Sequence, residues 1–111
     1  MATKEEVREG LDRVAAKLED STLQEEFKRF EKSVQFIYPD INESYVMEIA
    51  GGAVKEIKEG IIIRPNVVVT MDSDTFLAIL NDEMDALTAF SMGKVKFKGP
   101  MIDLLKLQKL L

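Results

Sequence analysis

Hydrophobic and polar positions alternate strictly near the end of the chain. Val95 and Phe97 point one way, and Lys94, Lys96 and Lys98 point the other, which is the period of a half-buried strand. Gly99 breaks the alternation, and Pro100 stands where a helix can begin. From there the spacing becomes helical. Leu107, Leu111, Leu104, Met101 and Leu105 form one apolar arc, with Gln108 inside it between Leu104 and Met101. An amide on an apolar face needs a hydrogen-bond partner or water. The plainer reading is a glutamine at the edge of an ordinary core; the alternative is a glutamine facing a lined cavity.

The same patterns organise the rest of the chain. Thr3 and Glu6 have the spacing of a capping box, and Val7, Leu11, Val14 and Leu18 follow at helical intervals, predicting a helix to about Glu19. Ser21 and Gln24 suggest a second box, with Leu23, Phe27 and Phe30 continuing an apolar face. Val34 to Tyr38 predicts a strand, and Pro39-Asp40 a turn. Tyr45 to Ala50 and Ala53 to Glu59 predict a hairpin closed by Gly51-Gly52, with Tyr45, Met47 and Ile49 on one face. Ile61 to Ile63 fits either a covered connection or a strand extension. Val67 to Met71 is a β-branched run expected in the middle of a sheet. Asp72 or Ser73 caps a helix to about Leu80, Asp85 caps another, and Gly93 closes it. Strands that run together and then give way to helices indicate an α+β fold, here a single domain over residues 1–111.

Composition narrows the chemistry. The 111 residues include no cysteine and no histidine, which removes disulfides, thiolates, the commonest metal ligand and the usual general base. The formal net charge of −5 argues against nucleic acid as a partner. No apolar stretch approaches the roughly 20 residues of a membrane span, and no charged-then-apolar leader opens the chain, so a cytoplasmic setting is expected. Asp72, Asp74 and the Asp82-Glu83-Met84-Asp85 cluster lack the alternating ligands of a calcium loop and read as helix caps. No metal, cofactor or catalytic residue is called for. Lys94, Lys96 and Lys98 read as a solvated strand face that guards an edge, or as a weak contact for anionic headgroups. Met47, Met71, Met84, Met92 and Met101 are core filling or the flexible lining of a site for irregular apolar ligands.

Several segments carry a family resemblance from about Tyr45 to Leu111. The lysine strand with its flanking glycines, the helix reading Lys106-Leu-Gln-Lys-Leu110, the Val67–Asp72 run followed by Asp74-x-Phe76-x-x-Ile79-Leu80, and Ala86-x-x-Ala89-Phe90-x-x-Gly93 together resemble the type 2 sterol-carrier-protein lipid-transfer domain. The resemblance implies a mixed, mostly antiparallel five-stranded sheet, covered on one face by about five helices and enclosing an apolar tunnel. It implies a non-enzymatic carrier of fatty acyl chains, sterols or isoprenoids. Carried over by position, the ligand-binding residues are Phe76, Leu80, Phe90, Met101, Leu104, Leu105, Gln108 and Leu111, with the C-terminal helix partly closing the tunnel. The other reading is an interaction module of the same fold with a closed cavity, its terminal helix packed on a partner or on a second copy.

Overall fold

A computed structural model describes residues 1–111. The capping box forms as its spacing requires: Thr3 Oγ1 accepts from the Glu6 amide at 3.1 Å, and Glu6 Oε1 accepts from the Thr3 amide at 3.0 Å. Helix α1 (Lys4–Lys17) follows, with Val7, Leu11 and Val14 buried along one stripe. Helix α2 (Ser21–Glu26) starts one residue earlier than its serine suggests. Asp20, not Ser21, is the cap, and its carboxylate accepts from the Leu23 amide. Phe27 and Phe30 come just after α2 and bury against each other edge to face.

Five strands then form one sheet: β1 (Lys32–Tyr38), β2 (Glu43–Ala50), β3 (Ala53–Glu59), β4 (Val67–Met71) and β5 (Val95–Lys98). Their order is β3-β2-β1-β4-β5. Every neighbouring pair is antiparallel except β1 and β4. Helices α3 (Ser73–Leu80) and α4 (Ala86–Ser91) lie between β4 and β5, and α5 (Met101–Leu107) follows β5. The fold is therefore α+β, with five helices and a mixed sheet as expected. Alternation aims Val34, Phe36 and Tyr38 of β1, Tyr45, Met47 and Ile49 of β2, and Val67, Val69 and Met71 of β4 into one buried layer. Val7, Leu11 and Val14 of α1 and Phe76, Ile79 and Leu80 of α3 complete that core.

Three local features depart from the sequence expectation. Ile61 to Ile63 is neither a covered connection nor a strand extension; it is an exposed loop, with Ile61 71% and Ile63 95% accessible. Its backbone is secured by Gln35, buried on the other face of β1. The Gln35 amide nitrogen donates to the carbonyls of Tyr45 and Gly60, and its Oε1 accepts from the Ile62 amide. A buried amide must find such partners, and this one finds them in the loop's backbone. Second, Asp72 occupies the cap position of α3 but makes no capping bond with its side chain. Asp40, from the turn after β1, accepts from the Ser73 amide at 2.9 Å and from the Ser73 hydroxyl at 2.5 Å. Third, α5 tightens into a 3-10 turn over Gln108–Leu110. At about 100° per residue, Leu104, Leu107 and Leu110 still share one arc, which the charged Asp103 completes; that arc is the buried side, and Met101 and Leu105 turn outward.

Candidate functional site

The end of the chain forms a roof over the inner face of the sheet. Leu107, Leu110 and Leu111 come down onto Phe36, Met47 and Val69, with Val14 of α1 closing the side. All seven lining residues are hydrophobic. The space they enclose is about 10 Å³, room for about one water-sized sphere. An acyl chain needs a site of several hundred Å³, so the tunnel expected from the resemblance is not open in this structure.

Burial of Leu104, Leu107 and Leu110 holds the roof down, and polar contacts at its margins add to it. Asp103, itself buried, pairs with the half-buried Lys32 at the start of β1. Lys106 donates to the Glu26 carbonyl at 2.8 Å, and Lys109 pairs with the Glu26 carboxylate at 3.0 Å. Lys17 donates to the Leu111 carbonyl at 3.0 Å. The exposed pairs among these each contribute about 0–1 kcal/mol.

The residues singled out from sequence are distributed around this roof. Leu111 lines the void. Leu104 is buried, whereas Met101 and Leu105 are 56% and 43% accessible. Gln108 is half-buried and donates to the Leu105 carbonyl of its own helix at 3.2 Å. Phe76 is wholly buried in an aromatic cluster, its ring 5.2 Å from that of Tyr38 and 6.3 Å from that of Phe36. Leu80 packs beside it against α1, and Phe90, on α4, is half-buried against the core. Val14, Phe36, Val69, Leu107 and Leu110 also line the void and are not among the ligand-binding residues expected from the sequence. Strand alternation carries the signal for Phe36 and Val69. For Leu110 it lies on the helical arc it shares with Leu107 and Leu104, an arc that the charged Asp103 interrupts.

A second concavity lies between α1 and the β3 edge. It is a groove of about 450 Å³ lined by Lys4, Glu5, Arg8, Glu9, Asp12 and Glu59, with Tyr45 as its one hydrophobic residue. Lys4 pairs with Glu59, and Arg8 pairs with Asp12. The Glu59 bond raises the Lys4 pKa. Tyr45 and Tyr38 are 1% and 0% accessible, and neither hydroxyl has a hydrogen-bond partner. Burial pushes both phenols above their ordinary range, Tyr38 the further, so both stay protonated as donors. No group of three or more carboxylates is arranged to hold a metal ion. No helix is long and apolar enough to cross a membrane.

Comparison with known proteins places this geometry. Sterol Carrier Protein 2 Like 2 from Aedes aegypti has a similar structure, with a TM-score of 0.74 at 17% identity, covering 97% of this chain and 98% of that one. The palmitated form of the Aedes aegypti protein gives a TM-score of 0.70 at 17% identity, covering 91% and 89%. The stereoselective inverting sec-alkylsulfatase Pisa1 from Pseudomonas sp. gives 0.68 at 19% identity, covering 79% of this chain. The match spans only 14% of that enzyme's length. No curated protein matches. The model of the SCP-2 sterol transfer family matches residues 11–111, and the chain belongs to that family.

Proposed function

We propose that residues 1–111 form one non-enzymatic domain that binds an apolar lipid between the sheet and the terminal segment, which lifts to admit it. The carrying observation is the roofed void, lined entirely by hydrophobic side chains and closed by the last residues of the chain. Family membership and the existence of a palmitated relative support the same reading.

The energetics allow it. Lifting the roof uncovers Leu107 and Leu110, at about 1.5–3 kcal/mol each, or roughly 3–6 kcal/mol together. A guest that buries about ten methylenes returns roughly 8 kcal/mol before ordering costs. The two leucines then rest on the guest and regain much of their burial. An affinity built this way depends on length and apolarity, so broad specificity follows. Lys94, Lys96 and Lys98 stand exposed along β5 and give a weak contact for anionic headgroups, about 1 kcal/mol each near such a surface.

One feature favours a second reading. Met101, Ile102 and Leu105 leave the outer side of α5 apolar and accessible, a surface suited to a second copy of the chain. One experiment separates the two. Protein purified from cells is examined by native mass spectrometry, then delipidated and titrated with the uncharged fluorophore diphenylhexatriene. Lipid-mass adducts and saturable fluorescence are expected. Failure of the delipidated protein to take up the fluorophore, together with a dimeric mass, would sink the carrier reading and leave the interaction module.

A further inference from the structure

We propose that the hydroxyls of Tyr38 and Tyr45 hold the polar end of the bound lipid, and that this end is an uncharged carbonyl group such as an ester, aldehyde or ketone. The inference rests on the lipid-binding reading and specifies which lipids fit.

It starts from two phenols where phenylalanine would fill the same space. Both hydroxyls are buried and neither has a partner. Buried polar groups nearly always find one, and an unmet hydroxyl is costly to keep. Their position relates them to the roofed void. Phe36, a wall of that void, faces Tyr45 across the β1–β2 ladder. Tyr38 lies one inward position further along β1, its ring stacked on Phe36 at 6.5 Å and 6°. The two tyrosine rings meet edge to face at 6.5 Å. Lys32, which the terminal helix grips through Asp103, is at the opposite end of β1. An extended guest with its tail under Leu107 and Leu110 and its body along Phe36 therefore brings its head to the tyrosines.

Charge then selects the head. Tyr45 lines the groove between α1 and β3, whose other walls carry four carboxylates, Glu5, Glu9, Asp12 and Glu59, against two cations, Lys4 and Arg8. Each cation already has a carboxylate partner. An anionic head meets net repulsion there and would lose its hydration on entering the core. A carbonyl oxygen carries no charge and has two lone pairs, one for each phenolic donor.

The test uses the delipidated full chain loaded with diphenylhexatriene, and competitors delivered from cyclodextrin at pH 8: methyl tetradecanoate, sodium tetradecanoate and tetradecane. Wild-type protein is expected to favour the ester over the anion by at least about tenfold. In the Tyr38→Phe/Tyr45→Phe variant the ester-to-alkane preference should fall about tenfold or more, the loss of both hydrogen bonds. Unliganded, the variant should melt at or above the wild-type temperature, because no native bond is removed. A preference for the anion, an unchanged ester-to-alkane ratio, or a markedly lower melting temperature overturns the proposal. Displacement by tetradecane alongside any of these leaves the lipid-binding reading intact. No displacement by either neutral competitor, with no uptake of the fluorophore, overturns both.

Discussion

Replacing Leu110 with alanine separates the roof's contribution to stability from its part in admitting a guest. Leu110 is 1% accessible and presses onto Val14, Phe36, Met47 and Val69. The substitution removes three carbon groups, worth roughly 2.4 kcal/mol at 0.8 kcal/mol each. If the walls stay put, the void grows by on the order of 70 Å³, adding roughly 1.7 kcal/mol at 24 cal/mol per Å³. The ceiling is therefore about 4 kcal/mol. Because α5 is short, it can settle inward, so the expected loss is about 2–3 kcal/mol. Urea unfolding measures it, with Leu105→Ala as the control. Leu105 is 43% accessible, and its replacement should change stability by no more than about 0.5 kcal/mol. The enlarged void should also take up diphenylhexatriene several-fold more tightly, since an apolar cavity left unfilled accepts apolar guests. A loss below about 0.5 kcal/mol in Leu110→Ala would show that the roof is not packed as described. A stability loss accompanied by weaker uptake would refute the assignment of the void to the ligand path.

Two further outcomes test the surrounding frame. Burial works to raise the Asp40 pKa, but the bonds from the Ser73 hydroxyl and amide outweigh it and hold the carboxyl below its ordinary value. A group depressed on folding stabilises the protein above its unfolded pKa of about 3.9 and loses that contribution as pH falls through the lower folded value. Asp40→Asn should thus cost about 1–2 kcal/mol at pH 7. The gap to wild type should close below about pH 4, and a gap constant from pH 7 to pH 3 would contradict the assignment. At Gly10, an added Cβ would stand 2.7 Å from Phe76 Cε2 and 2.9 Å from Leu80 Cδ1. Gly10→Ala gains about 1 kcal/mol of helix propensity but forces repacking at about 1–3 kcal/mol, so thermal melting should show net destabilisation. A more stable variant would mean that α1 and α3 are loosely apposed.

The sequence showed most clearly those elements whose cause is local. The Thr3–Glu6 box, the hairpin at Gly51-Gly52, the lysine strand and the β-branched run of β4 each follow from neighbours in the chain. Gly52 has a second reason to be glycine: its φ is +77°, and a Cβ there would lie 2.8 Å from the Gln24 carbonyl oxygen. Features set by distant partners were not legible. The parallel pairing of β1 with β4 depends on how the chain returns through the 60–66 loop, and no local pattern of residues carries the strand order. Asp40 caps a helix 33 residues further on, and Gln35 secures a loop 25 or more residues away. At the candidate site, the inward residues of β1 and β4 could be read from alternation. The buried side of the terminal segment could not, because its arc includes the charged Asp103, whose burial depends on Lys32, 71 residues away in the chain. The closure of the void depends on how closely Leu107, Leu110 and Leu111 pack onto the sheet, which no pattern of hydrophobic positions specifies.

The contrast between the sheet and the segment lying on it has a mechanical consequence. β1 is laddered on both sides, so its backbone cannot spread without breaking bonds to β2 or β4. The terminal segment is held by the burial of its leucines and, at its margins, by lysine contacts whose grip slackens as salt screens them. Space for a visitor is therefore gained in height and not in width. If a lipid enters as proposed, slender molecules of different lengths can share this space, whereas a broad, rigid one must raise the whole cover, and ionic strength tunes entry only through the contacts at the margins.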